Sequence, residues 1–306
     1  MNSTKTVDLP ALTFLISAAF SGIFFILIAG FLLWTAFPVL SREGLGFFIG
    51  TVWDYNSNTY GIFYLIIGTL VTTALTLMIA VPIGVGTAVY LAEWAPVRVR
   101  QVMKTMIELL VGIPSVVYGI FGFFILRGLF RDYVDPAIGS VGGFIPFFRN
   151  IYPNSGLTIL LAAVILSCMI IPIIVALSFD AMRAVPNEIK EASYAMGATK
   201  WDTIKRIVIP SAFTGIVTAT VLGMMRAMGE TMAVIMISGA SAHLPVSILD
   251  DALLMTSKIL NDIPDYMASG EPRSAIFAIG VALFLMEILF VALIRIISSH
   301  YGDKTT

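Results

Sequence analysis

Four long stretches of this sequence carry no Asp, Glu, Lys, Arg or His, and they constrain the fold more than any other feature. They cover residues 9–41, 55–92, 109–126 and 150–179. A bilayer core about 30 Å thick is crossed by roughly 20 apolar residues in a helix. Backbone amides left unpaired in hydrocarbon cost several kcal/mol each, so such stretches cross as helices. The sequence therefore predicts an all-α, polytopic membrane protein.

The composition supports the same class. Of the 306 residues, 58% are hydrophobic and only 12% are charged, whereas about a quarter are charged in a soluble domain. The net charge of −1 gives no general attraction to nucleic acid. Cys168 is the only cysteine, lies inside an uncharged stretch and is interpreted as a hydrophobic filler.

Six transmembrane helices are predicted in one domain, residues 1–306. Hydropathy places them at about residues 12–37, 62–91, 106–126, 157–181, 213–237 and 275–297. An even count puts both termini on one side. If that side is the cytoplasm, 11 Lys and Arg residues lie inside and 6 lie outside. This excess predicts cytoplasmic N and C termini.

The second and third spans contain residues that disturb helices. Proline lacks an amide donor and clashes with the preceding turn, so we expect kinks or local breaks there. Helix packing without a break is the alternative interpretation. The residues concerned are Pro82, Gly84 and Gly86 in the second span, and Gly112, Pro114 and Gly119 in the third.

Two connections between spans are long enough to have structure of their own. The outer one, residues 238–274, has an amphipathic helical pattern and is expected to pack on the surface rather than to act as a gate. The inner one, residues 183–210, is predicted to form two short helices. The first starts at Pro186 and stops at Gly197, with Ile189, Ala192 and Met196 on one face; the second is capped by Thr199 with Asp202 and runs to Pro210. The first could dock a soluble partner or anchor at the interface.

Charged residues inside the spans are expensive, and one of them stands out. Arg226 lies about 20 Å along the fifth span from Phe213, near the bilayer midplane. Glu230 follows one helical turn later and can pair with it. This can be a packing salt bridge, with Glu287 of the sixth span as a further member, or an anion site, since arginine offers a fork of donors that matches phosphate oxygens. Glu108 is expected near the cytoplasmic start of its helix, in a structural role.

The sequence lacks the catalytic and metal-binding motifs of several enzyme classes. His243 and His300 are the only histidines and lie outside the spans, and neither a metal-binding signature nor a Gly-x-Ser-x-Gly elbow occurs. An intramembrane hydrolase is therefore disfavoured, and no metal or cofactor is expected in this chain. No Lys follows a Gly, so the phosphate-binding loop of ATPases is missing too.

The inner connection resembles a known motif. Glu191-Ala192-Ser193, three residues, Gly197, nine residues and then Ile207-Val208-Ile209-Pro210 are similar to the EAA motif of ABC-transporter permeases. Ser193 and Ile209 are mild departures from it. The resemblance implies that Glu191, Ala192, Gly197 and Pro210 belong to a coupling helix segment, which sits in a cleft of a separate ATP-hydrolysing subunit that binds ATP and Mg²⁺.

Two further stretches, residues 108–119 and 226–234, resemble the phosphate-import branch of these permeases. The resemblance as a whole covers about residues 60–297. It implies a six-helix importer permease in a bacterial inner membrane, not an enzyme by itself, with inorganic phosphate as substrate. Its partners would be a sister permease, two ATP-binding subunits, an extracytoplasmic phosphate-binding protein and membrane lipid.

The same resemblance implies roles for three residues of the fifth span. Arg226 would attract the oxyanion, Glu230 would release Arg226 or accept a hydrogen bond from a phosphate hydroxyl, and Thr231 would lie on the same path. A permease for another oxyanion (phosphonate, molybdate or sulfate) and a stand-alone secondary transporter or channel are the alternatives.

Overall fold

The computed structural model describes residues 9–149, 155–268 and 270–302, and this part of the chain is almost entirely helical. Lys5 and Lys304, which contribute to the predicted orientation, lie outside it. The α-helices are α1 (Leu9–Glu43), α2 (Gly46–Ile49), α3 (Phe63–Glu93), α4 (Val97–Val111), α5 (Ser115–Phe121), α6 (Arg127–Leu129), α7 (Asp135–Gly142), α8 (Ile159–Arg183), α9 (Asn187–Ala195), α10 (Lys200–Thr203), α11 (Ile209–Ser211), α12 (Phe213–Met228), α13 (Met232–Ile237), α14 (Met255–Tyr266) and α15 (Gly270–Gly302). Single π-helical turns at Gly122–Leu126, Phe130–Val134 and Ile204–Val208 continue their neighbours, and a 3-10 turn covers Pro146–Phe148.

Four helices are long and apolar enough to cross a membrane, and the count reaches six when each of two bent helix pairs is one span. α8 lies at the centre, because 67% of its apolar window is buried inside the protein. α3 and α12 pack against α8, and α15 packs against α12. α1 packs on α15 at the periphery with only 11% of its window buried, so its apolar side chains face outward. The predicted all-α membrane fold is confirmed.

The third predicted span, residues 106–126, is wrong in its boundaries. α4 ends at Val111, and the helix that resumes at Ser115 and runs to Gly142 is bent from α4 by 89°. Pro114 disfavours the helical conformation in the residue before it, which explains the expected break. The part that runs on from Ser115 is therefore longer than the prediction, while residues 106–111 belong to an amphipathic helix lying across it.

The second span shows the alternative interpretation, helix packing without a break. α3 continues through Pro82 from Phe63 to Glu93, so the expected break is absent from this helix. A Cβ atom on Gly84 would lie 2.8 Å from Cγ2 of Ile174 on α8. Gly84 therefore allows the two central helices to approach closely, which is the usual role of small residues in membrane helix packing.

The outer connection packs onto the protein. Its first half is irregular, exposed around Leu244 and Val246 and buried from Ser247 onward. Hydrogen bonds from Ile159 N to Asp250 O (2.9 Å) and from Ala252 N to Ser238 O (2.8 Å) hold its backbone. Its second half is the predicted amphipathic helix, α14. Nearby, the two-residue antiparallel strands β1 (Trp53–Asp54) and β2 (Thr59–Tyr60) form a hairpin between α2 and α3.

Candidate functional site: a charged helix break and an exposed connecting segment

The predicted fifth span is interrupted where its charged residues lie. α12 ends at Met228, residues 229–231 are not helical, and α13 begins at Met232. The Glu230 carboxylate accepts a hydrogen bond from Ala233 N (3.2 Å), so it caps the first turn of α13. The Glu230 carbonyl oxygen accepts a second bond from the hydroxyl of Thr256 on α14 (2.9 Å). Side-chain and tertiary contacts thus take the place of the helical hydrogen bonds.

Arg226 and Glu230 form the expected ion pair across this break. Arg226 Nη2 lies 3.5 Å from Glu230 Oε2. The two side chains differ in access, because Glu230 is 4% exposed whereas Arg226 is 49% exposed. Arg226 also lies in the last turn of α12, where a cation is favoured by the helix dipole. Thr231, which is half-buried, donates its hydroxyl to Gly229 O at 3.3 Å.

Arg226 opens onto a face of α12 that this chain leaves uncovered. The exposed residues nearest to it in the sequence are apolar: Leu222 and Met225 on α12 and Met232 at the start of α13 are 44%, 37% and 46% exposed. A fixed guanidinium inside an apolar span must face protein, water or a counter-ion rather than lipid. This face therefore needs either another subunit or a wet passage in front of it.

Glu287 approaches the break from α15 but does not join the ion pair. Its Oε1 atom lies 3.9 Å from the place where a Cβ on Gly229 would be. Within the described ranges, no Lys, Arg or His nitrogen lies within 4.0 Å of it. The packing role that the sequence suggested for Glu287 in the salt bridge is therefore wrong. Glu108 is also misplaced by the sequence, because it lies exposed in the last turn of α4 and not at a helix start.

The inner connection, residues 183–210, forms the two predicted short helices. α9 runs from Asn187 to Ala195, with Pro186 at its N-cap rather than at its first helical position. Gly197 has φ +84°, the left-handed conformation that ends helices and favours glycine. The helix has 9 residues, slightly shorter than the sequence suggested, and it stops where predicted.

The second helix of this connection also starts as predicted. The Thr199 hydroxyl accepts a hydrogen bond from Asp202 N at 3.2 Å and donates one to the Asp202 carboxylate at 2.5 Å. The chain then continues through α10, a π turn and α11, which contains Pro210 and ends at Ser211. Between this stretch and α12 the helix axis bends by 65°.

The apolar face of α9 is uncovered. Ile189 and Met196 are 46% and 88% exposed, Tyr194 is 41% exposed, and Glu191 and Ala192 are exposed as well. Beside them lies a cavity of about 300 Å³ that Ser193, Met196, Gly197, Ala198, Asp202, Arg206 and Ile207 line. These exposed residues give a soluble partner both an apolar contact surface and a groove.

α9 is nevertheless fixed to the membrane helices at one point. Lys190 Nζ lies 2.7 Å from Glu93 Oε1 at the end of α3, and these side chains are only 13% and 8% exposed. A hydrogen bond of 2.9 Å joins the hydroxyls of Ser193 and Thr203, so α9 is also linked to α10. No local pattern predicts the Lys190–Glu93 pair, because the partners lie 97 residues apart.

Comparison with known proteins decides the family. Residues 80–302 match the family described as "Binding-protein-dependent transport system inner membrane component". The chain is a binding-protein-dependent transport permease. The permease is also similar to the "Phosphate transport system permease protein PstC" of Pasteurella multocida, with 36% identity over 273 residues, which are 89% of this chain and 84% of the relative. Its PstC relative in Haemophilus influenzae is 34% identical over 92% of this chain and 90% of its own length.

A third relative of the permease is the "Probable ABC transporter permease protein YqgH" of Bacillus subtilis, 37% identical over 79% of this chain and 72% of the relative. Among solved structures, a bacterial alginate ABC transporter matches 98% of this chain and 96% of its own with a TM-score of 0.60 and 16% identity. At that identity the match shows the fold alone. The resemblance read from the sequence is confirmed, and the fold is that of an ABC importer permease.

The described part of the permease contains no group of three or more His, Cys, Asp or Glu residues that could hold a metal ion. Three charged residues of the membrane helices, Arg226, Glu230 and Glu287, lie close to the break, and Asp135, in the helix that follows Ser115, is a further buried carboxylate. The sequence singled out these three residues but missed Thr256, which lies 26 residues from the carbonyl that it contacts.

Proposed function

We propose that this permease forms part of the translocation path of an ATP-driven bacterial importer for inorganic phosphate. The observation that carries the proposal is the half-exposed Arg226 guanidinium, held by a buried carboxylate on the open face of an apolar helix. The names of the relatives, phosphate transport permeases at 34% to 36% identity, support phosphate over other oxyanions.

The cost of a charge in the membrane supports a functional role for Arg226. A central arginine costs about 2.5–3.5 kcal/mol on insertion scales. Glu230 compensates only part of that charge, because the Arg226 side chain remains 49% exposed. Guanidinium donors that stay free can bind an oxyanion bidentately and release it, since the contact is shared with water.

Glu230 orients Arg226 in this proposal. Its Oε1 atom already accepts from Ala233 N and its Oε2 atom faces Arg226, and the side chain is 4% exposed. A direct hydrogen bond from a phosphate hydroxyl would therefore require Glu230 to give up an existing contact. Holding Arg226 before the anion arrives, and releasing it when the anion binds, is the role that fits its surroundings. Thr231, next in the chain, belongs to the same passage.

The exposed face of α9 is the proposed docking site for an ATP-binding subunit. Glu191, Ala192 and Gly197 would lie in a cleft of that subunit, while Lys190 and Glu93 transmit its movement to α3. ATP-driven closure of two such subunits would move α9 and reorient the spans between outward and inward openings. Pro210 lies near the 65° bend, where this movement would enter α12.

The remaining partners follow from the open surfaces and the family. A sister permease would cover the α12 face, and an extracytoplasmic phosphate-binding protein would deliver substrate to the outer connection. The termini and α9 would then lie in the cytoplasm, as the distribution of Lys and Arg suggests. Co-purification of an ATP-binding subunit tests this assembly, and a chain that transports phosphate in vesicles without one would contradict it.

Substitution of Arg226 tests the substrate path. In vesicles that contain the assembled importer, Arg226→Ala should lower uptake of radiolabelled inorganic phosphate at least about 100-fold, and Arg226→Lys should retain part of it. Arg98→Ala removes an exposed arginine from the first turn of α4, away from the break, and serves as the control. Normal uptake by Arg226→Ala would remove this residue from the path.

A further inference from the structure

We infer that Thr256 is a positioning residue for Glu230, and that α14 links the outer hairpin of the permease to the charged helix break. The inference rests on the proposed function, because it assigns Thr256 to the same substrate path. It adds a residue outside the fifth span, and it connects that path to the surface on which an extracytoplasmic partner would act.

The first contact is at the break itself. Thr256 is 7% exposed, and its hydroxyl donates to the backbone carbonyl of Glu230 at 2.9 Å. This carbonyl lies at the interruption between α12 and α13, where the helical hydrogen-bond pattern has stopped. A buried carbonyl without a partner is costly, so the Thr256 hydroxyl stabilises this backbone conformation. The conformation in turn directs the Glu230 carboxylate toward Arg226.

The start of α14 is held rigidly against a central helix. Met255 N donates to the Thr69 hydroxyl on α3 at 3.1 Å. A Cβ on Gly68 would lie 3.0 Å from the Leu253 carbonyl oxygen, so the chain before α14 presses closely onto α3. The two contacts fix the chain immediately before Thr256 to α3.

The other end of α14 binds the hairpin. Lys258 Nζ pairs with Asp262 Oδ2 at 2.8 Å and lies 4.9 Å above the centre of the Trp53 ring. The Tyr55 hydroxyl donates to the same carboxylate, and the Tyr55 ring stacks on Tyr266 with 3.6 Å between centroids. Burial, and then the hydrogen bond to Asp262, raises the pKa of Tyr55, so the phenol keeps its proton and remains a donor.

These contacts make α14 a short rigid link. Thr256 and Asp262 are six residues apart, or about 9 Å along a helix. A displacement of the hairpin that moves Asp262 must therefore move Thr256 or bend a helix between them. Closely packed protein interiors transmit such displacements rather than absorb them. In the proposed orientation, the hairpin is on the extracytoplasmic side, where a loaded binding protein would arrive.

The test uses the assembled importer in vesicles, with its loaded binding protein and radiolabelled inorganic phosphate. Two rates are measured, the ATP hydrolysis stimulated by the binding protein and the basal hydrolysis without it. Thr256→Val keeps the shape but removes the hydroxyl, Thr256→Ser keeps the hydroxyl, and Thr72→Val is the matched control. Thr72 is also buried, but its hydroxyl bonds only to Gly68 O in its own helix, at 2.8 Å.

Thr256→Val should lower phosphate uptake, and the ratio of stimulated to basal hydrolysis, about tenfold, while Thr256→Ser and Thr72→Val stay within about twofold of the parent. Tyr55→Phe, at the far end of the link, should give a similar but smaller loss. The double variant should be no worse than Thr256→Val, because contacts in one network are not additive.

Normal stimulation in Thr256→Val, or equal losses in Thr256→Val and Thr256→Ser, would overturn the inference. If Thr256→Val does not assemble, Tyr55→Phe decides, since unchanged stimulation there also overturns it. Failure of the proposed function has a different signature: the parent importer itself would not accumulate phosphate.

Discussion

The helix break around Glu230 and the exposed helix α9 both carry charged residues of recognisable motifs, but the protein holds them in opposite ways. Glu230 is 4% exposed, and it receives contacts from α12, α13 and α14. α9 has no buried residue and presents Met196 at 88% exposure. Its firmest attachment is the Lys190–Glu93 ion pair.

The difference shows which region is complete within this chain. A group that must bind a small anion needs its geometry fixed in advance, because freezing it on binding would cost affinity. A segment that docks a large partner needs an exposed complementary surface and one firm connection to the elements that it moves. The following predictions test this difference between the two regions. They begin with the substitution expected to have the largest effect and end with the smallest.

The largest effect is expected at the attachment of α9. Lys190→Met leaves the nearly buried Glu93 carboxylate without its cation, and breaking a buried pair from one side costs about 3–5 kcal/mol. Thermal unfolding of the purified complex and ATP-coupled phosphate uptake should both fall sharply. Lys205→Met, at an exposed position of the same connection, is the control. Equal stability of the two variants would show that α9 is fixed by other contacts.

The next effect is expected at the break. Glu230→Gln keeps an acceptor for Ala233 N but removes the charge that faces Arg226, and hydrogen bonds to charged groups are worth about 1.5–3 kcal/mol. Phosphate uptake should fall about tenfold while the complex assembles normally. Glu108→Gln changes an exposed glutamate on α4 and should leave uptake unchanged. Parent-like uptake in Glu230→Gln would reduce the ion pair to a packing contact.

The same difference explains what the sequence could predict. The helices α9 and α10 can be predicted because their signals are local: the helical spacing within α9, the Gly197 stop and the Thr199 cap all lie within a few residues. The break at Gly112–Pro114 was readable for the same reason.

Tertiary contacts account for the failures. Glu230 was expected on a continuous helix, but the Thr256 hydroxyl, 26 residues away, and its own bond to Ala233 N stabilise an interruption. A kink or a local break is expected at Pro82; the helix is not broken there, and Gly84 lets it pack on Ile174. Periodicity in one segment contains no information about such neighbours. The positions of the charges could therefore be predicted, but not the backbone that holds them.

A smaller effect is expected at the end of α9. Gly197 has φ +84°, and a side chain there costs about 1–2 kcal/mol, more if it is β-branched. No atom lies within 4 Å of a Cβ at this position, so the cost comes from the backbone alone. Gly197→Val should raise the ATP hydrolysed per phosphate transported severalfold without preventing membrane insertion. Gly197→Asn, which tolerates this conformation, should stay close to the parent; equal ratios in both variants would remove the backbone conformation from coupling.

The smallest effect is expected at the cap of α10. Thr199→Ala removes the acceptor for Asp202 N, and loss of such a cap typically costs about 1 kcal/mol. Because α10 is linked to α9 through the Ser193 and Thr203 hydroxyls, the loosened start should raise the ATP used per phosphate by at most a few fold. Thr199→Ser retains the cap and should restore the parent ratio. If Thr199→Ala lowered coupled uptake as much as Lys190→Met, α9 and α10 would depend on a local helix cap as strongly as the break depends on its tertiary contacts. The proposed difference between the two regions would then be wrong.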